Sequence, residues 1–144
     1  MNFEEILEKE GTLVYTCVGV SMLPLLRERK DILTISKITN KPKKYDVVLF
    51  KRDSGQYVLH RIVKVRKHDY VLLGDNQWRK EKGVLDRHII GVLTSFTQDD
   101  KIISVNDEKY LRYINKVVKN PFRRIKIFFK DLKFRIKRKL SKKK

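Results

Sequence analysis

Ser21 and His60 are the two residues of this chain whose types and surroundings could support acyl transfer. Ser21 sits in "VGVSMLPLL", residues 18–26, where a serine followed by Met-Leu-Pro ends an apolar run. Its hydroxyl is a weak nucleophile until a base takes its proton, and that base is typically a histidine oriented by a carboxylate or carbonyl. Three histidines are available. His68 lies in the charged turn "VRKHDY" and reads as solvated; His88 opens a strand without distinguishing context. His60 lies inside "YVLHRIVKV", a strong strand pattern in which imidazole is an uncommon guest unless paired or placed on a functional face. Locally, the same letters fit an ordinary strand-to-turn serine and a satisfied structural histidine.

Other chemistries have less to stand on. No His/Cys/Asp cluster has metal-ligand spacing and no Gly-rich phosphate loop occurs, so neither metal nor nucleotide nor any other cofactor is assigned. Cys17 is the single cysteine, which excludes an internal disulfide. Alternation in "TLVYTCVGV" puts Leu13, Tyr15 and Cys17 on one strand face, the pattern of a buried structural thiol.

The elements that must position these residues are mostly strands. Phe3, Ile6 and Leu7 recur at helical spacing with Gly11 as a stop, predicting a short helix over 2–10. From Thr12 to Val105, "TLVYTCV", "DILTISKI", "YDVVLFK", "QYVLHRIVKV", "DYVLLGD" and "HIIGVLTSF" are rich in β-branched and aromatic residues and separated by polar punctuation. Six or more short strands predict a barrel-like or sandwich sheet rather than βαβ units. After Val105 the period turns helical, with Leu111, Ile114 and Val118 on one face. Asn120-Pro121 then reads as a helix start, opening a second helix to about Leu140. Its Phe122, Ile125, Phe128, Phe129, Leu132, Ile136 and Leu140 share one third of the circumference; Ile127 and Phe134 break the pattern. The expected division is a β domain over 1–105 and a helical extension over 106–144.

Charge is concentrated in that extension. The 144 residues carry a formal net charge of +18, and residues 119–144 hold 13 Lys/Arg against Asp131 alone. An anionic neighbour is implied. The longest uncharged run, 11–26, is too short and too polar for a membrane span. The acidic "FEEILEKE" upstream is unlike a secretory signal. The expectation is therefore a cytoplasmic chain without signal peptide or transmembrane helix.

Read in order, "SMLP", "YDVVLF", "VLHRIV", "LLGDN" and "IIGVL" resemble the boxes of type I signal peptidases, in the Ser-His form of archaea and the endoplasmic reticulum. The resemblance spans about half the chain, Val18 to Phe96. It implies a mainly β, barrel-type catalytic domain of the kind shared with LexA, here flanked by a short N-terminal helix and a basic helical extension. The implied activity is that of a serine endopeptidase cutting a leader or signal-like segment bound in extended form. By the same resemblance Ser21 is the nucleophile, His60 the general base, and Arg61 and Ile62 continue the "HRI" box. Asp75 and Asn76 belong to "GDN", a turn that packs beside the active site. The acid that orients the base falls at Glu81, with Asp75 and then Asp86 as alternatives. Trp78, just past GDN, is a candidate to border the substrate, with loop packing as its alternative; Met22 is a second candidate there, with packing as the other reading. "GVS" stands where many relatives have Ser-Gly before the nucleophile, which leaves more of the oxyanion to the Ser21 amide.

Signal peptidases ordinarily carry a membrane anchor, and this sequence shows none. The tail "NPFRRIKIFFKDLKFRIKRKLSKKK" offers another route, as a basic amphipathic helix suited to an anionic interface at the inner face of the membrane; the alternative is that its apolar stripe packs on the β domain or on a partner. Nucleic acid is the less expected partner, because its readers interleave aromatics with the basic face. Two other functions fit the same residues: a catalytically inactive peptide-binding module tethered to membrane, and a LexA-like self-cleaving regulator.

Overall fold

The computed structural model describes residues 1–142. The first helix, α1 (Phe3–Glu10), is set by its caps. The Asn2 side chain accepts from the Glu5 N–H at 2.8 Å, and Glu5 Oε2 accepts from the Asn2 N–H at 3.2 Å, a reciprocal capping box. Gly11 ends the helix at φ 77°, a left-handed conformation that glycine adopts without a Cβ clash.

Eight strands follow: β1 (Thr12–Thr16), β2 (Ile32–Lys37), β3 (Val47–Lys51), β4 (Tyr57–Val65), β5 (Tyr70–Leu73), β6 (Glu81–Val84), β7 (Ile89–Gln98) and β8 (Lys101–Ser104). They form one antiparallel sheet in the order β1-β2-β7-β3-β4-β5-β6, with β8 hairpinned onto β7. Among the described residues no ladder joins β1 to β6, so the strand path has two ends.

The central strand explains how one sheet supports two cores. Residues Val47 to Phe50 are all buried. Alternation sends Val47 and Leu49 to one side, with Leu13, Leu33, Ile35 and Leu93, and Val48 and Phe50 to the other, with Ile62, Leu72 and Val84. Cys17 lies in the first core, and burial pushes its thiol up to about 11.

Two strands lie outside the expected β-rich runs. In β6, "EKGV" has neither alternation nor β-branched content until its last residue; pairing of Tyr70 with Val84 and Leu72 with Glu81 makes it a strand. The β7–β8 hairpin turns on Asp99 and Asp100, both at positive φ (50° and 65°), the backbone of a two-residue turn that aspartate tolerates.

Beyond the sheet come α2 (Glu108–Tyr113), a π-helical turn (Ile114–Val118) and α3 (Pro121–Lys142). The buried face is Tyr110, Ile114 and Val118, all within the first core, whereas Leu111 is 48% exposed. Leu111 therefore leaves the face expected for it, and the polar-tipped Tyr110 takes its place because its hydroxyl meets the buried Arg61. Asn120 Oδ1 accepts from the Phe122 N–H at 3.0 Å and caps α3 as its sequence predicts. Among the described residues no helix is long and apolar enough to cross a membrane.

Candidate active site

The segment that carries Ser21 leaves β1 through a braced loop. The Cys17 N–H donates to the Asp31 carbonyl at 2.9 Å and the Arg29 N–H to the Cys17 carbonyl at 2.7 Å. Buried Asp31 also accepts from the Arg27 N–H and guanidinium. Gly19, at φ 86°, turns the chain toward Ser21. The GDN turn holds the far side: the Asn76 N–H donates to the Ser21 carbonyl at 2.8 Å, and Asn76 Nδ2 to the Val20 carbonyl at 3.1 Å.

His60 comes from β4, opposite Val48 of β3 and beside the Phe50 ring at 5.9 Å between centroids. It is 5% exposed. Burial lowers its pKa to about 4, partly offset by the charge of Glu81, while Arg52 acts against protonation. Its Nδ1 is buried without a hydrogen-bond partner among the described residues.

Ser21 and His60 line the same cavity of about 480 Å³, whose walls include Tyr15, Leu49, Tyr57 and Leu59. The tertiary fold thus brings the two residues to one apolar-walled hollow. No hydrogen bond joins Ser21 Oγ to His60 among the described residues. A second cavity of about 410 Å³ also reaches His60 and is bordered by Trp78, Glu81 and residues of α3.

The three candidate acids are engaged elsewhere. Asp75, fully buried, accepts from Arg61 Nε at 2.8 Å, Arg61 Nη2 at 2.9 Å and the Tyr113 hydroxyl at 2.9 Å. Its role here is to neutralise Arg61, whose Nη1 donates to the Tyr45 carbonyl at 2.7 Å and Tyr110 at 2.9 Å. A buried pair survives only when its lone pairs and protons are satisfied in this way. Glu81 accepts from Arg52 Nε at 3.1 Å, and Asp86 from the Tyr70 hydroxyl at 2.6 Å. Of the three, Glu81 exerts the strongest field on His60.

Met22 is 3% exposed and belongs to the first core while also contributing to the wall of the Ser21 cavity. Trp78 borders the second cavity, with its ring 4.7 Å from that of Phe128. His68 is exposed in its turn. His88 lies in a 3-10 turn, where Nδ1 accepts from the Leu85 N–H at 2.9 Å and Nε2 meets Asp53 Oδ1 at 2.9 Å.

Several participants escape sequence reasoning. Arg52 lies in both cavities and holds Glu81, yet "RDSGQ" reads only as a turn. Tyr110 and Tyr113 clamp the Arg61–Asp75 pair from a helix expected to be an appendage. Comparison with protein-family models, curated proteins and solved structures returned no match.

Proposed function

We propose that this chain is a serine endopeptidase of the signal-peptidase type, with Ser21 as nucleophile, His60 as general base and the sheet as a barrel-type scaffold. The observation that carries this reading is the shared cavity: two residues 39 positions apart in "SMLP" and "VLHRIV" line one hollow. Ser21 Oγ attacks the scissile carbonyl, its proton passes to His60, and the C–N bond breaks as His60 returns that proton to the departing amine. Water then resolves the acyl ester, again through His60, releasing the acid and restoring the hydroxyl. The Ser21 N–H serves the oxyanion.

Burial keeps His60 neutral at physiological pH and so able to accept the proton, while Glu81 favours the imidazolium that forms. A base held this low is a weak acceptor, and slow turnover is expected. β1 ends the strand path and leads into the nucleophile loop, which offers an extended substrate an edge to pair with. The Ser21–His60 hydrogen bond would close on productive binding, as such contacts commonly do.

A fluorophosphonate probe tests the reading. Labelling of the folded chain that disappears in Ser21→Ala and drops sharply in His60→Ala is the expected result; labelling that survives Ser21→Ala overturns it. A second reading is favoured by the unpartnered Nδ1 of His60 and the arginine-held acids: a module that binds an extended peptide without cutting it. Its mark would be peptide binding by folded wild-type protein that never labels.

A further inference from the structure

The side of α3 that meets the body is not its apolar stripe. Arg123 Nη1 donates to the Asp75 carbonyl at 2.6 Å, and Arg124 Nη1 to the Gly74 carbonyl at 3.2 Å and the Gln77 carbonyl at 3.0 Å. Phe128 packs on Trp78, and Ile127, Asp131 and Arg135 border the second cavity. Phe128 thus leaves the stripe and Ile127, which breaks it, turns inward. On the opposite side Phe122, Ile125, Phe129, Leu132, Ile136 and Leu140 occupy about 80° of arc at 100° per residue. They are 72%, 47%, 59%, 40%, 51% and 60% exposed. None of the helix is buried.

We propose that this outward stripe docks on an anionic lipid bilayer, with α3 lying in the headgroup plane. Charge selects the occupant. Lys126, Lys130, Lys133 and Lys137 fall beside the stripe on the helical wheel, placed to reach phosphates while the Phe, Ile and Leu side chains enter the acyl boundary. The one acid of the helix, Asp131, faces the body and is paired with Arg135 at 2.8 Å, so no carboxylate of α3 opposes the bilayer. A nucleic acid would engage the lysines and have no use for six exposed apolar side chains. An apolar protein groove would leave the lysine flank without a counter-charge.

The Arg123 and Arg124 bonds to the GDN turn give the docking a consequence. A lipid-bound α3 carries the cavity beside His60 to the membrane surface, because the same helix walls that cavity. The docking itself stands on the geometry of α3 and does not depend on the peptidase reading.

Sedimentation of the full chain with vesicles of equal parts phosphatidylcholine and phosphatidylglycerol, and with phosphatidylcholine alone, tests the proposal. Partition onto the anionic vesicles is expected to exceed that onto neutral ones more than tenfold. The doubly substituted Phe129→Ser, Ile136→Ser chain is expected to lose more than tenfold of it. Both positions are exposed, so thermal unfolding and fluorophosphonate labelling should match wild type, which separates a failure here from a failure at Ser21. Absence of anionic-vesicle binding overturns the proposal, as does binding untouched by the double substitution. Ultracentrifugation showing a dimer that this variant dissolves, without vesicle binding, would reassign the stripe to a second copy. Tight binding to a duplex fragment instead of vesicles would reassign the helix to nucleic acid.

Discussion

A Cβ placed on Gly74 would stand 2.7 Å from the carbonyl oxygen of Ser21. That approach is below any normal carbon–oxygen contact, so the GDN turn and the Ser21 loop lie this close only because residue 74 has no side chain. The neighbouring Asn76 bond to the same carbonyl draws the two segments together. Gly74→Ala is expected to push the Ser21 backbone outward and cost roughly 1–3 kcal/mol, the usual range for overpacking. Urea unfolding measures the cost, and the fluorophosphonate labelling rate should fall more than tenfold beyond any loss of folded protein.

The pH dependence of labelling should report buried His60 rather than an ordinary imidazole. With its pKa near 4 in place of 6.5, the ring stays neutral through mildly acidic solution. The labelling rate is expected to hold from neutrality to about pH 5 and to fall only as pH passes through the value near 4. A midpoint at 6.5 would mean that the ring is solvated in the working protein.

The same depression links His60 to stability. The unfolded chain binds a proton at His60 as pH drops through 6.5, while the folded chain resists until about 4. Stability from this group is therefore complete above 6.5 and is lost progressively as pH falls toward 4, by roughly 3 kcal/mol in all. His60→Gln should remove that share of the pH dependence, read from urea unfolding at pH 7 and pH 5.

Arg52 sets the charge that His60 feels. Arg52→Ala removes a cation that disfavours the imidazolium and releases Glu81 from its hydrogen bonds. Both changes raise the His60 pKa. The acid limb of the labelling profile should move to higher pH, and a limb that stays or moves down would remove Glu81 from any account of the base.

Arg61 and Asp75 are expected to act on stability before chemistry. Arg61→Met leaves a buried carboxylate with Tyr113 as its remaining side-chain hydrogen-bond donor among the described residues, and breaking a buried pair from one side typically costs about 3–5 kcal/mol. Arg61→Met combined with Asp75→Leu should recover much of that loss. A recovery of less than a tenth of it in urea unfolding would show that Asp75 holds more than its arginine partner.

Short-range physics made much of the molecule legible. Asn2, Glu5 and Gly11 cap α1 through atoms three or four residues apart, and alternation in "DILTISKI" or "YDVVLFK" marks a strand before its neighbours are known. The start of α3 at Asn120-Pro121 is of the same local kind. That Ser21 and His60 line one cavity could be expected only from an ordered resemblance of short boxes. Nothing between residues 21 and 60 states that they meet.

What the tertiary structure alone decided is everything that depends on partners distant in the chain. β6 exists because β5 offers it an edge, since "EKGV" has no preference of its own. The acid at the expected orienting position is held by Arg52, 29 residues away, and Asp75 by Arg61, 14 residues away. An arginine's reach is set by strand register rather than by its neighbours in sequence. The wheel of α3 showed where its apolar stripe lies but not which side would dock. That side was chosen by the Asp75 and Gln77 carbonyls at the GDN turn and by the Trp78 ring, to which two arginines and Phe128 bind while the more apolar face turns outward. Sequence determined the elements because their energetics are local; the fold determined which of their faces and charges meet.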